Sequence, residues 1–341
     1  MMLSKIVKVS LDNPPSSFKA SAEYFSLIPH ESHGIFRKKL FDTKLQNRKK
    51  VWRGFNLPMK EVEKRFKKMT IERNKFAQKK GYSSYLFMFL DLYKIPQSDY
   101  KNLIKNTDKV INYCNQQLPK TESLPDWFYS EFNLPCFICR LPQFPFKTLD
   151  EVFDFVAGEY PTLKNSRHKI DITLSKTSEM IYKKETGIFK ITLDKNSNFR
   201  HQAVDLIHEL SHVISNLKNL TKGDDPLEKG AYLREKEATE IEFRLLERVN
   251  PKLYQAIFGE ILLILRRVLF EIELYKNPDQ NLSRLYAKTF NQCFKGAKQK
   301  DSPLWVLDER IVLRPLLSLP HAVAYAKILS EENKISNENQ S

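Results

Sequence analysis

Along KEVEKRFKKMTIERNKFAQKKG, Val62, Phe66, Met69 and Phe76 recur at the spacing that gathers apolar side chains on one helix face, and Gly81 follows as a stop. Similar periodicity predicts helices over about 83–93 and 99–118. Residues 119–148 break the pattern with Pro119, Pro125, Pro135, Pro142 and Pro145 among aromatics, and read as an irregular connector. In TLDEVFDFVAGEY, Thr148 and Glu151 form a capping box that opens a short helix.

The pattern then changes to an alternation of period two. KIDITLS, SEMIYKK and GIFKITLD, within 169–194, read as strands, the last two joined as a hairpin through Glu185, Thr186 and Gly187. Helical periodicity returns over 199–219, 226–249, 252–275 and 281–295. The second of these is expected to start with Asp225 as N-cap, Pro226 in the first turn and Glu228 closing a box, and to stop before Asn250-Pro251. A final helix is expected from Pro320. The fold class is therefore mainly α with a small β-hairpin or sheet region. It divides into an N-terminal basic helical lobe (1–118), the connector (119–148), a lobe over 149–330 and a polar tail (331–341).

Charge sharpens this division. The formal net charge is +15. Residues 1–100 hold 21 basic and 9 acidic residues, whereas 201–250 hold 7 basic and 10 acidic. A polyanionic partner, nucleic acid or anionic membrane, is thus suggested only for the N-terminal third, where FRKKLFDTKLQNRKKVWRGF interleaves cations with aromatics. Solvated helix faces with buried aromatics are the default reading of that stretch. The nine glycines never lie closer than seven positions apart, which excludes both common glycine-rich phosphate loops. Four cysteines are too few for a disulfide scaffold, and the lone Cys136-x-x-Cys139 reads as two packed thiols. With no apolar leader or spanning segment, the chain is expected to be cytoplasmic, although an effector exported without a cleaved signal would look the same.

The chemistry concentrates in HQAVDLIHELSHVISNLKN. His208 and His212, four apart, stack one turn apart on a helix and suit a single zinc ion, and Glu209 is the intervening acid of an H-E-x-x-H motif, a general base for a metal-bound water. Val204, Ile207, Leu210, Ile214 and Leu217 supply the buried stripe. A third ligand is needed, and REKEATEIEFRLLE offers one. Glu235 is favoured, with Ala238 leaving space beneath the metal and Glu242 on the same stripe to hydrogen-bond an imidazole; Glu237 is the rival. His201 and Asp205 share the His208/His212 stripe, though a solvated first-turn histidine and a helix-start acid are the simpler readings.

The block DLIHELSH, followed about 27 residues later by E-x-x-A-x-x-x-E, resembles the zinc core of the thimet oligopeptidase and oligoendopeptidase F family of metallopeptidases, of the gluzincin type. The upstream Arg73, Asn74, Ala77, Gly81, Tyr82 and Tyr85 are similar to that family's Arg-Asn to Gly-Tyr pattern, and PHAVAYAKIL resembles its last helix. The resemblance spans roughly 60–330. It implies a zincin-like fold with two lobes flanking a central cleft, one zinc held by His208, His212 and Glu235, Glu209 as general base, and peptide or protein substrates. It also implies Tyr325 and His321 as oxyanion donors from across the cleft. Ser211 stands where the family usually has Gly, and FNQCFKGAKQKDSPLW, with only Gly296 and no tyrosine, lacks the family's closing segment. Two other readings are a regulatory or effector-type zinc endopeptidase with one protein target, and a non-catalytic binding protein on a degenerate zincin core.

Overall fold

The computed structural model describes residues 59–118, 144–175, 178–195, 197–295, 301, 305–306, 308, 311 and 314–331. The basic N-terminal segment, Cys136 and Cys139, most of the 119–148 connector, Gly296 and the tail beyond 331 lie outside them.

The protein is mainly helical with one three-stranded sheet. In chain order the elements are α1 (Met59–Lys79), α2 (Tyr85–Leu92), α3 (Gln97–Gln117), α4 (Leu149–Glu159), α5 (Pro161–Asn165), β1 (Ile170–Ser175), β2 (Glu179–Lys183), β3 (Ile188–Asp194), α6 (Phe199–Thr221), α7 (Ala231–Val249), α8 (Pro251–Lys276), α9 (Leu282–Cys293) and α10 (Leu319–Glu331). No helix among the described residues is long and apolar enough to cross a membrane.

The chain forms two compact units. Among the described residues, one comprises those within 59–118 and 259–322, the other those within 144–258 and 323–331. The linear reading grouped everything from 149 to 330; instead the chain returns to the first unit at residue 259, inside α8. No break in periodicity marks that point, because the helix runs straight through it.

In the first unit, α1 buries Val62, Phe66 and Met69, with Phe66 against Trp305 at 5.0 Å between ring centroids. The helix ends where Gly81 takes φ +88°, and Tyr82 N–H donates to the Ala77 carbonyl at 3.0 Å. This unit also buries charge. Arg266 and Arg267 of α8 meet Asp308, and Glu271 accepts the Leu316 N–H at 2.6 Å.

The second unit holds the sheet. Its order is β1-β3-β2, with β2 and β3 antiparallel and β1 parallel to β3. The β2–β3 connection is the expected hairpin, closed by Gly187 at φ +67° donating to the Lys183 carbonyl at 2.8 Å. Register puts Ile170, Ile172 and Leu174 beside Phe189, Ile191 and Leu193, with Met180 and Tyr182 on the other flank, so one face is apolar. Phe189, Ile191 and Leu193 are fully buried, each contributing about 1.5–3 kcal/mol. Helix α6 packs against β3, β2, α4 and α7. The Thr148 hydroxyl caps Glu151 N–H at 3.2 Å, while the Glu151 carboxylate reaches back one residue further than a standard box, to Lys147 N–H.

Helix α7 starts five residues later than its sequence signals suggest. Asp225 is not an N-cap: its carboxylate turns back on Leu227 N–H at 2.9 Å and pairs with Lys184 at 2.6 Å. Residues 225–228 form a turn, and Gly230 becomes the cap. At the far end Asn250 leaves the helical region ahead of Pro251, whose ring disfavours a helical predecessor.

Candidate metal centre

Helix α6 is launched by Asn198, whose side-chain oxygen accepts the His201 N–H at 3.1 Å. Its apolar stripe is buried by the sheet and α7, and this fixes the rotation that turns His208 and His212 toward α7. The two rings lie 4.8 Å apart between centroids and nearly perpendicular. Ser211, between them, is buried and returns its hydroxyl to the Ile207 carbonyl at 2.8 Å, so it leaves no polar group unsatisfied.

Helix α7 brings two carboxylates to these rings. Glu242, 4% exposed, accepts from His208 Nδ1 at 2.9 Å. That bond orients the ring with Nε2 facing Glu235 and, in the neutral imidazole, selects the tautomer protonated at Nδ1. Glu235 Oε2 lies 3.6 Å from His208 Nε2 and 3.4 Å from His212 Nε2. These separations are too long for charge-assisted hydrogen bonds, which close to about 2.7–2.9 Å. They match a tetrahedral site, since bonds of about 2.0–2.1 Å to one ion put neighbouring donors about 3.3–3.4 Å apart. Ligand atoms of His208, His212 and Glu235 all fall within 4.8 Å of one another, a grouping of metal-ligating type that the described residues form only here. The donor set is two imidazole nitrogens and one carboxylate oxygen, and it fits zinc.

Electrostatics follow from burial. Glu209, 7% exposed, has its pKa raised to about 7 chiefly by loss of water; the neighbouring imidazoles oppose that shift and Glu235 and Asp205 add to it. Burial alone would depress the His208 pKa, but the charge and hydrogen bond of Glu242, with the Glu235 and Glu209 carboxylates nearby, outweigh it and hold it well above the ordinary histidine value.

The rival ligand Glu237 points elsewhere. It pairs with Lys229 at 2.5 Å and accepts from the Ser215 hydroxyl and, at 3.4 Å, the Asn219 amide. Although burial pushes its carboxyl upward, these partners hold it below the usual range. Asp205 accepts the Ser178 hydroxyl at 2.5 Å, and Ser178 in turn accepts the Asp194 N–H, so this acid ties both ends of the hairpin to α6. His201 sits in the first turn of α6, its N–H taken by the Asn198 cap. Tyr325 is 6% exposed, with its ring stacked on Phe243 at 5.8 Å. His321 lies in the first turn of α10, within the first unit.

Sequence reasoning missed the Ser178 tether and the Lys229–Glu237 cluster. For the latter a signal existed: Ser215 and Asn219 continue the His208/His212 stripe at i+7 and i+11. No family model matches the chain, and neither the curated proteins nor the solved structures yield a match.

Proposed function

We propose that the chain is a zinc-dependent metallopeptidase that hydrolyses peptide bonds, with one zinc held by His208, His212 and Glu235. The observation that carries this reading is the spacing of Glu235 Oε2 from the two imidazole nitrogens, 3.4 and 3.6 Å, around a motif whose intervening acid is intact. A zincin-like fold is supported by the packing of the H-E-x-x-H helix against a small sheet with an antiparallel edge strand.

Zinc bound there supplies a Lewis acid for the scissile carbonyl and lowers the pKa of a coordinated water toward about 7. Glu209 accepts the proton of the attacking water on its carboxylate and delivers it to the leaving amine. Its burial keeps that carboxylate poorly solvated and hence a stronger base than a surface glutamate. Glu242 holds the His208 ring by its Nδ1–H, and Ser211 keeps the helix turn between the ligands free of unsatisfied groups. The family resemblance assigns oxyanion donation to Tyr325 and His321.

The test is metal analysis of the purified chain together with mass-spectrometric cleavage of a mixed peptide library by wild type and Glu209→Gln. We expect one zinc per chain in both proteins and cleavage by Glu209→Gln at least about 100-fold slower than by the wild type. Absence of stoichiometric zinc, or cleavage by Glu209→Gln at a rate near the wild type's, overturns the reading.

A further inference from the structure

We propose that Glu237 is a positioning residue for the metal centre: through Lys229, Ser215 and Asn219 it sets the placement of α7 along α6, and thereby of Glu235 against the two histidines. The inference rests on the zinc reading and deepens it.

The ligands come from two helices, so the site exists only if the helices are in register. Residues 222–230 join them, beginning with a turn at Gly223, φ +81°. Two polar ties bridge the pair near the ligands. One is His208 to Glu242. The other is the Glu237 cluster, which lies at Ser215 and Asn219, about 4.5 and 10.5 Å further along α6 than His212 at 1.5 Å per residue. Glu237 is only two residues from Glu235, and therefore any slip of α7 that moves one moves the other.

The cluster is closed on itself. Lys229 Nζ donates to Glu237 Oε1 at 2.5 Å and to Asn219 Oδ1 at 2.9 Å. Ser215 Oγ and Asn219 Nδ2 donate to Glu237 Oε2. The Asn219 carbonyl accepts the N–H groups of Lys222 and Asp224, so the same residue anchors the turn and the carboxylate. One cluster thus fastens α6, the connecting turn and α7 together. Metal–ligand bonds tolerate displacements of only about 0.2 Å, well below what a loosened helix pair samples. A second consequence is that Glu237, with both oxygens engaged, cannot swing in as an extra ligand and take the coordination position that water requires.

The experiment measures the zinc dissociation constant by competition with a chromogenic chelator, beside the thermal unfolding midpoint of the metal-free protein. The variants are Glu237→Ala, Glu237→Gln and Lys229→Met, with Glu240→Ala on the same helix as control, since Glu240 pairs with Lys236 and, among the described residues, takes no part in the Glu237 cluster. We expect Glu237→Ala to weaken zinc binding about 10–100-fold, the range for residues that orient ligands. Glu237→Gln, which keeps the acceptor oxygen for Ser215 or Lys229, should recover part of that loss, and Glu240→Ala should change affinity less than twofold. A cluster that merely stabilises the fold would lower the metal-free midpoint and leave the affinity of the folded protein as in the wild type; that result overturns the proposal. Should Glu237→Ala fail to fold, Lys229→Met and Glu237→Gln carry the same comparison, and wild-type affinity in both overturns it. If the wild type itself binds no zinc, the metal reading fails first, and the positioning role goes with it.

Discussion

Each of the two units buries a cluster of charged side chains, and they are built on opposite plans. In the first unit opposite charges close directly onto one another: Arg267 Nε meets Asp308 at 2.7 Å, its Nη1 reaches Ser318 at 3.3 Å, and Arg266 adds a 3.5 Å contact to the same carboxylate while its guanidinium lies over the Tyr286 ring. In the second unit Glu235 stands off from two imidazole nitrogens by 3.4 and 3.6 Å. The first cluster sets both guanidinium groups directly against Asp308. The second has the donor spacing that an ion would complete. Burial of charge is therefore a poor guide to a functional site, and the separation between donors is a better one.

The comparison breaks most sharply at Glu209. On the proposed reading, replacing it with Gln keeps shape and ligands but removes the base, and turnover should fall by about 10²–10⁴-fold with zinc content unchanged, as read by kcat on any peptide found to be cleaved. Next in size is Asp308→Ala in the first unit. It strands two guanidinium groups, one fully buried and one nearly so, and should cost about 3–5 kcal/mol of stability by chemical denaturation while leaving zinc affinity untouched. If Asp308→Ala instead altered zinc binding, the two clusters would not be independent. Glu242→Gln comes third. The amide cannot accept the His208 Nδ1–H with carboxylate strength, and zinc affinity should weaken about 10–100-fold with little change in unfolding of the metal-free chain.

The sequence carried more of the site than of its surroundings. His208, Glu209 and His212 are legible because one helix supplies all three and the period of 3.6 decides their geometry. Helix spacing and the family resemblance favour Glu235 over Glu237. What separates them is a contact across helices, Lys229 and Ser215 on Glu237, and no periodicity records which side chain crosses to which. The hairpin was readable from its turn, but the alternation in KIDITLS does not reveal that β1 pairs with β3, parallel, instead of with its sequence neighbour β2. Asp225 carried every mark of an N-cap. Its pairing with Lys184, 41 residues away, overrode the local signal, and α7 began at Ala231. Likewise the return of 259–322 to the first unit left no mark, since it happens inside a continuous helix.

A pH-dependent effect tests whether every member of the first cluster is charged. Glu271 is 1% exposed, accepts the Leu316 N–H through Oε1, and has an Oε2 with no hydrogen-bond partner among the described residues. Burial raises its pKa to about 8, with Asp308 adding to the shift and the Leu316 N–H, Arg267 and Arg73 opposing it. In the unfolded chain the same group titrates near 4.5. Between those values the folded state holds a proton that the unfolded state has lost, so stability falls as pH rises through this window, by at most about 1.4 kcal/mol per unit. Glu271→Gln removes the titration while keeping an oxygen for Leu316 N–H. Its stability relative to wild type should be near zero at pH 5 and grow in the variant's favour up to about pH 8, measured by urea unfolding across that range. A difference independent of pH would mean that Arg73 and Arg267 already neutralise an ionised Glu271. The first unit would then bury a matched set of charges with no neutral member.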